Sequence, residues 1–449
     1  MKVFAGLTAA LTGFATALPS PAQTDSKGLE VSLELVDDTN VKATVKNNGQ
    51  EQLRILKTAS ILGQAQTDKV HVEGEDGTPD FTGGLVNVLY DKLQSESFIT
   101  VAPGESVDST FDVAKIYDLS KGGEFTFTGR GVLHIGDGDN KIVREASFET
   151  NTLKSHVDGA KAAKIQNTLS LDHLTKRTST DGSCQGSRLE TLQRAYTIAH
   201  TKSTSAAYYA RQGPADRLNE YFKGSDQGTR DHVAGVFDRV AASTYTLASG
   251  SNKAFCRDPR AGCADGSAAA VTYVGTGEIA YCNFFFDSSS DINQDCHSQD
   301  RSEIVIHETT HTRKVAGTAD NAYFYDGIVK LNHQQALNNA DTYGLYASSF
   351  WTHCYGGNIA RVFTCTDADF QGKCVGIYMP VGGFCSNIPN FINDKISSLG
   401  GAYQGKCYGY VDANCQGNAL EIPNGHDAQL NRLPNGWNDV FSSFKCYQG

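Results

Sequence analysis

No cysteine precedes Cys184 in this chain of 449 residues, although twelve occur from that point on. The late onset excludes a disulfide framework for the first part, and the even number fits bridges formed in an oxidising compartment. No apolar run approaches the roughly 20 residues of a membrane-crossing helix, so no membrane span is expected. There is no long basic block and the net charge is −11, which excludes nucleic acid as a partner class. Asn-x-Ser/Thr is absent as well, so no N-glycan acceptor is present.

What is there begins with a leader. Lys2 precedes an apolar stretch from Val3 to Phe14, then Ala15-Thr16-Ala17 and Leu18-Pro19, the order of an export signal over residues 1–17. Lys176-Arg177 lies in a polar stretch just ahead of the first cysteine and reads as a processing site. Residues 18–177 are then a propeptide and an intramolecular partner of the cysteine-containing part. Leu29-Glu30-Val31-Ser32-Leu33-Glu34-Leu35 alternates, Val41-Lys42-Ala43-Thr44-Val45 does so again, and Asn47-Asn48-Gly49 marks a turn. This pattern predicts a folded, all-β sandwich.

The middle of the chain carries the chemistry. His307-Glu308-Thr309-Thr310-His311 spells HExxH behind the apolar run Ile304-Val305-Ile306. On a helix, side chains four apart share a face roughly 6 Å apart, so both imidazoles can bind one zinc, with Glu308 beside it. Catalytic zinc needs a third protein ligand. The extended pattern HExxHxxGxxH is excluded because Lys314 and Gly317 stand where Gly and His are required. A downstream glutamate is also missing, none occurring between Glu308 and Glu421. Asp320, Asp326, Asp341, His333 and His353 remain, and Asp320 is favoured because Gly317-Thr318 can end the helix and turn the chain back.

His307 to His311, followed by Gly317-Thr318-Ala319-Asp320-Asn321-Ala322-Tyr323, resembles the deuterolysin (aspzincin) metalloendopeptidases. Similarity extends over Asn338-Asn339-Ala340-Asp341-Thr342-Tyr343 and the stretch from Thr178 to Cys354. The resemblance implies that His307, His311 and Asp320 bind zinc, that Glu308 is the general base and that Tyr323 donates to the oxyanion. It implies bridges Cys184 to Cys256, Cys263 to Cys282 and Cys296 to Cys354, and places Asp341 near a substrate pocket. Phe324 departs from the family, which often has glycine there. Gly344 replaces the glutamate of lysine-selective members. A bias toward basic substrates is expected instead, also because Asp287, Asp291, Asp295, Asp300 and Glu303 precede the motif. Helical spacing of Leu189, Leu192, Tyr196 and Ala199, and of Val233, Val236, Phe237 and Val240, predicts a helix-rich α+β domain over 178–354.

Beyond Cys354 short aromatic strands alternate with glycine, and a 45-residue repeat aligns Phe363 with Tyr408, Gly372 with Gly417 and Ile377 with Ile422. Asn393-Asp394-Lys395-Ile396-Ser397-Ser398 and Asn438-Asp439-Val440-Phe441-Ser442-Ser443 resemble the calcium loops of βγ-crystallin domains. The resemblance implies an all-β Greek-key domain over 355–449, with Asp394, Ser397, Asp439 and Ser442 as calcium ligands. The expected whole is a secreted, multidomain zinc metalloendopeptidase acting on protein or peptide substrates. The alternative is a calcium-binding, crystallin-like anchoring protein with a vestigial protease domain.

Overall fold

The computed structural model describes residues 28–171, 182–245, 247, 252–293, 295–352, 359–388, 392–403, 405–423 and 429–447. The expected leader, the processing pair Lys176-Arg177 and Cys354 lie outside the described residues. Among the described residues no helix is long and apolar enough to cross a membrane.

The alternating segments of the N-terminal part form two antiparallel sheets. One joins Leu29–Leu35, Asn40–Asn47 and Ser106–Asp112. The other orders His71–Gly74, Gly123–Gly136, Leu53–Leu56 and Phe98–Val101, with Ile142–Val157 paired along Gly123–Gly136. Since side chains alternate across a strand, Val31, Leu33, Val41, Ala43 and Val45 all point one way. They meet Ile55, Phe127, Leu133 and Ile135 of the second sheet in one buried apolar cluster.

The middle part is helical. Gly186–Gln212 buries Leu192, Tyr196 and Ala199, and Gln227–Thr244 buries Val233, Val236, Phe237 and Val240, as their spacing predicts. Asp226 caps the second of these helices by accepting from Thr229 N–H at 3.1 Å. A third helix, Arg301–His311, carries HExxH and has every residue from Ser302 to His311 buried. Its N-cap Asp300 accepts from Glu303 N–H at 2.8 Å. The other oxygen of Asp300 pairs with Lys202 Nζ at 2.8 Å, both side chains being fully buried. Lys202 also donates to Ser348 Oγ at 3.0 Å, so this ion pair ties the motif helix to Gly186–Gln212 and to Ala340–Ser349. Removing one partner would strand a buried charge, at a cost of about 3–5 kcal/mol.

One sheet crosses the expected boundary at residue 177. Its order is Lys253–Phe255, Glu278–Tyr281, Ala268–Tyr273 and then Gly84–Val88, a strand of the N-terminal part. The two parts are therefore joined through a shared sheet: a strand from the N-terminal part extends the sheet beside the motif helix. Local alternation states which face of a strand is buried but not which sheet receives it.

Cys184 pairs with Cys256 and Cys263 with Cys282, as the resemblance implied. Cys296 is also bridged, its expected partner being outside the described residues. In the tail the bridges are Cys365–Cys374, Cys385–Cys415 and Cys407–Cys446.

The tail consists of two four-stranded sheets related by the repeat. The first orders Gln371–Pro380, Ile359–Asp367, Ser398–Tyr403 and Gln429–Leu430; the second orders Cys385–Asn387, Ser443–Tyr447, Lys406–Asp412 and Gln416–Ile422. Each copy thus gives one short strand to the sheet of the other. Equivalent serines fold the equivalent hairpins: Ser398 Oγ donates to Asp367 C=O at 2.7 Å, and Ser443 Oγ to Asp412 C=O at 2.6 Å. Gly372 and Gly417 both have φ +75, and a Cβ on either would lie 2.4 Å from a side-chain oxygen, so glycine is required at both turns. The tail packs on Gly186–Gln212 through Phe384 against Tyr208, away from the motif.

Candidate metal centre

Helix Arg301–His311 ends at Thr312, and Gly317, with φ +65, reverses the chain. Thr318 N–H donates to Thr310 C=O at 3.2 Å, fixing the return, and Ala319 bridges to Asn339. Asp320 is thereby carried back over the helix. His307 Nε2 and His311 Nε2 lie 3.0 Å apart, and Asp320 Oδ1 is 3.3 Å from each. A tetrahedral zinc with ligands at about 2.0–2.1 Å has ligand atoms about 3.3 Å apart, so the triangle fits.

The outer hydrogen bonds identify which atoms face inward. His311 Nδ1 is 2.8 Å from the Thr318 carbonyl, which only accepts, so the proton is on Nδ1. His307 Nδ1 is 2.8 Å from Asp341 Oδ1 and donates in the same way. In the neutral rings both Nε2 lone pairs then converge with a carboxylate oxygen. Asp320 Oδ1 and the two Nε2 atoms thus form a set of three acceptors that could hold one cation.

Glu308 is fully buried, and that burial pushes its carboxyl above its ordinary value. One oxygen, Oε2, accepts from Thr272 Oγ1 at 2.6 Å, and the other, Oε1, has no partner. A carboxylate of raised basicity with one free oxygen beside the ligand triangle suits proton transfer from water. Tyr323 stands with its ring centroid 6.4 Å from that of His307. Burial, then Asp320, raises its phenol well above the ordinary value, so it remains a donor at neutral pH. That hydroxyl donates to Val86 C=O of the N-terminal part at 3.2 Å.

Two expectations change. Asp341 was placed near a substrate pocket, but it is fully buried, with Oδ1 on His307 and Oδ2 accepting from Phe324 N–H at 2.6 Å. Both oxygens are engaged, so it orients a ligand ring. The acidic run ahead of the motif was read as a steering surface. Asp300 and Glu303 are instead fully buried, and Asp291 pairs with Arg194 and Arg301. Phe324 has φ +56, a conformation that glycine adopts without strain, so the departure noted in the sequence falls on a strained backbone position.

Several site residues were not found from sequence. Thr272 sits on a strand facing the motif helix, and nothing local marks a threonine there as a carboxylate's partner. Glu303, one turn before His307, has both oxygens without partners, and its only signal was its spacing on the helix. Asn87 could have been noticed as the single polar residue in Leu85-Val86-Asn87-Val88-Leu89. Asp394, Ser397, Asp439 and Ser442 do come together in the tail, far from this centre in sequence. Ser397 Oγ donates to Asp439 Oδ1 at 3.2 Å and Ser442 Oγ to Asp394 Oδ1 at 3.3 Å.

The deuterolysin metalloprotease (M35) family matches residues 1–354. A Neutral protease 2 homolog of Phaeosphaeria nodorum is 35% identical over 351 residues, covering 77% of this chain and 98% of that protein. Neutral protease 2 of Aspergillus oryzae is 34% identical over 357 residues, covering 79% of this chain and 100% of that protein. Among solved structures, a zinc peptidase from Grifola frondosa shares 17% identity at a TM-score of 0.31, over 37% of this chain and 96% of that one.

Proposed function

The chain belongs to the deuterolysin (M35) metalloprotease family and is a zinc metalloendopeptidase, and from that premise we propose how its own residues divide the work. His307, His311 and Asp320 hold the metal. When bound, zinc would lower the pKa of water toward ~7 and polarise a carbonyl. Glu308 takes the proton from water through Oε1 and delivers it to the leaving amine, while Thr272 fixes the orientation of its carboxylate. Tyr323 donates to the oxygen on which negative charge develops. Asp341 keeps His307 in the tautomer that turns Nε2 inward. The observation that carries this reading is the convergence of three acceptor atoms at 3.0–3.3 Å with no proton to share.

The enzyme is exported and made as a zymogen, cut after Lys176-Arg177, with 178–354 as the protease domain. The N-terminal strand in the protease sheet supports a covering role for the propeptide. For the tail, the exchanged strands and twin Asp–Ser contacts support a βγ-crystallin-like module that takes calcium through Asp394, Ser397, Asp439 and Ser442. A preference for basic substrates is not part of this reading, since most of the acidic run behind it is buried or paired. Intact-mass measurement of the secreted product tests the assignment. It should give a mature chain starting at Thr178 with one zinc; a product that keeps residues before Arg177 while fully active would refute the zymogen.

A further inference from the structure

Strand Gly84–Val88 runs antiparallel at the end of the protease sheet, with Gly84 opposite Tyr273, Leu85 opposite Thr272, Val86 opposite Val271 and Asn87 opposite Ala270. An extended peptide that binds by adding a strand would take this same position. Directly opposed residues share a face of the sheet. Val86 packs with Val271 and Tyr273 on the face away from the motif helix. Thr272, on the other face, touches Glu308. Leu85 and Asn87 therefore lie on the motif side, and helix Arg301–His311 packs against this strand.

Asn87 is 0% exposed, and neither its Oδ1 nor its Nδ2 has a partner. A buried amide left wholly unpaired calls for an ion or water that satisfies it. On that face Glu308, held by Thr272 through Oε2, has no hydrogen-bond partner on Oε1. The carbonyl immediately before Asn87, that of Val86, accepts from the Tyr323 hydroxyl.

We propose that Gly84–Val88 is an internal pseudosubstrate, with the Val86 carbonyl in the place of a scissile carbonyl and the Asn87 amide oxygen supplying a further ligand to the metal. The amide nitrogen then has an acceptor in Glu308 Oε1, the carboxylate oxygen that the ligand set leaves open. The side chain fills the space from which Glu308 would activate water, so the strand is held and not cut. Release of the N-terminal part empties both the sheet edge and the ligand position for an incoming peptide of the same polarity. This proposal rests on the zymogen reading and on the His307, His311 and Asp320 ligand set.

The test uses full-length precursor kept intact by Lys176→Ala with Arg177→Ala and loaded with cobalt(II). Three quantities are read: the visible cobalt spectrum, the rate of cobalt loss to dipicolinate and cleavage of a fluorogenic peptide. Asn87→Ala and the near-isosteric Asn87→Leu should each alter the spectrum and speed metal loss roughly tenfold or more. Asn87→Asp should slow metal loss, because a carboxylate replaces the amide. An unchanged spectrum and unchanged metal loss in both Asn87→Ala and Asn87→Leu would overturn the proposal while leaving latency intact. An uncut, unsubstituted precursor as active as the mature enzyme would instead overturn the zymogen reading, and one that takes up no cobalt would overturn the ligand set.

Discussion

The two candidate ion sites of this chain are built on opposite principles. At the centre of the protease, candidate ligand atoms from a helix and a loop are buried and aimed at one another, with the outer nitrogens of both rings already hydrogen-bonded. In the tail, the two Asp–Ser pairs come from repeated loops, the aspartates are exposed, and each accepts from a serine of the other loop: Asp439 from Ser397, Asp394 from Ser442. Burial makes the difference. Uncompensated acceptors away from water carry a cost that only a cation removes, whereas exposed carboxylates are solvated and can wait. The first site should need its ion in order to work, and the second should gain stability from one.

The contrast can be broken or sharpened by measurement. The largest effect is expected from Glu308→Ala, which should lower kcat/KM by roughly 10²- to 10⁴-fold with zinc content unchanged; substantial remaining activity would remove Glu308 from the mechanism. Tyr323→Phe keeps the ring and loses the donor, and should cost roughly 10²- to 10³-fold in kcat. A change confined to KM would make Tyr323 a binding residue instead. Asp341→Asn retains the volume but no longer holds His307 Nδ1–H with a charge, so zinc affinity should fall about 10- to 100-fold in a chelator competition; unaltered affinity and activity would deny it that role. The smallest effect belongs to the tail. Calcium at a hundred times its Kd should add about 2.7 kcal/mol to unfolding of the tail, seen as a rise in its calorimetric transition that Asp394→Ala with Asp439→Ala abolishes. A calcium-insensitive transition would leave the tail without an ion site.

Much of this was legible in the residues. HExxH on an apolar helix and Gly317 followed by Asp320 are local patterns, and the structure brings His307, His311 and Asp320 together at distances that fit a zinc ion. Helical spacing around Val233 and Val236 and strand alternation around Val41 and Val45 mark buried faces, because side-chain direction follows the backbone period. The repeat in the tail was visible for the same reason: its equivalent turns need glycine at equivalent places.

The misreadings share one cause. Asp300 and Glu303 look like surface charge in an acidic run, yet Lys202, nearly a hundred residues earlier, pairs with one, and the packed helices enclose the other. Asp341 could be placed near the site by its motif, but its direction depended on how helix Ala340–Ser349 lies against Arg301–His311.

The sequence by itself determined the elements and the chemistry: which segments are helix or strand, where the cysteine-free part and the repeat lie, and which residue types can hold zinc. Those properties depend on near neighbours and on side-chain identity. Only the tertiary structure decided that Gly84–Val88 joins the protease sheet, that Thr272 restrains Glu308, that Asp341 stands behind His307 and that the two halves of the tail exchange strands. Each of these joins segments far apart in the chain, and an exposed strand edge offers the same backbone donors and acceptors to every partner. Packing of the whole chain selects among them.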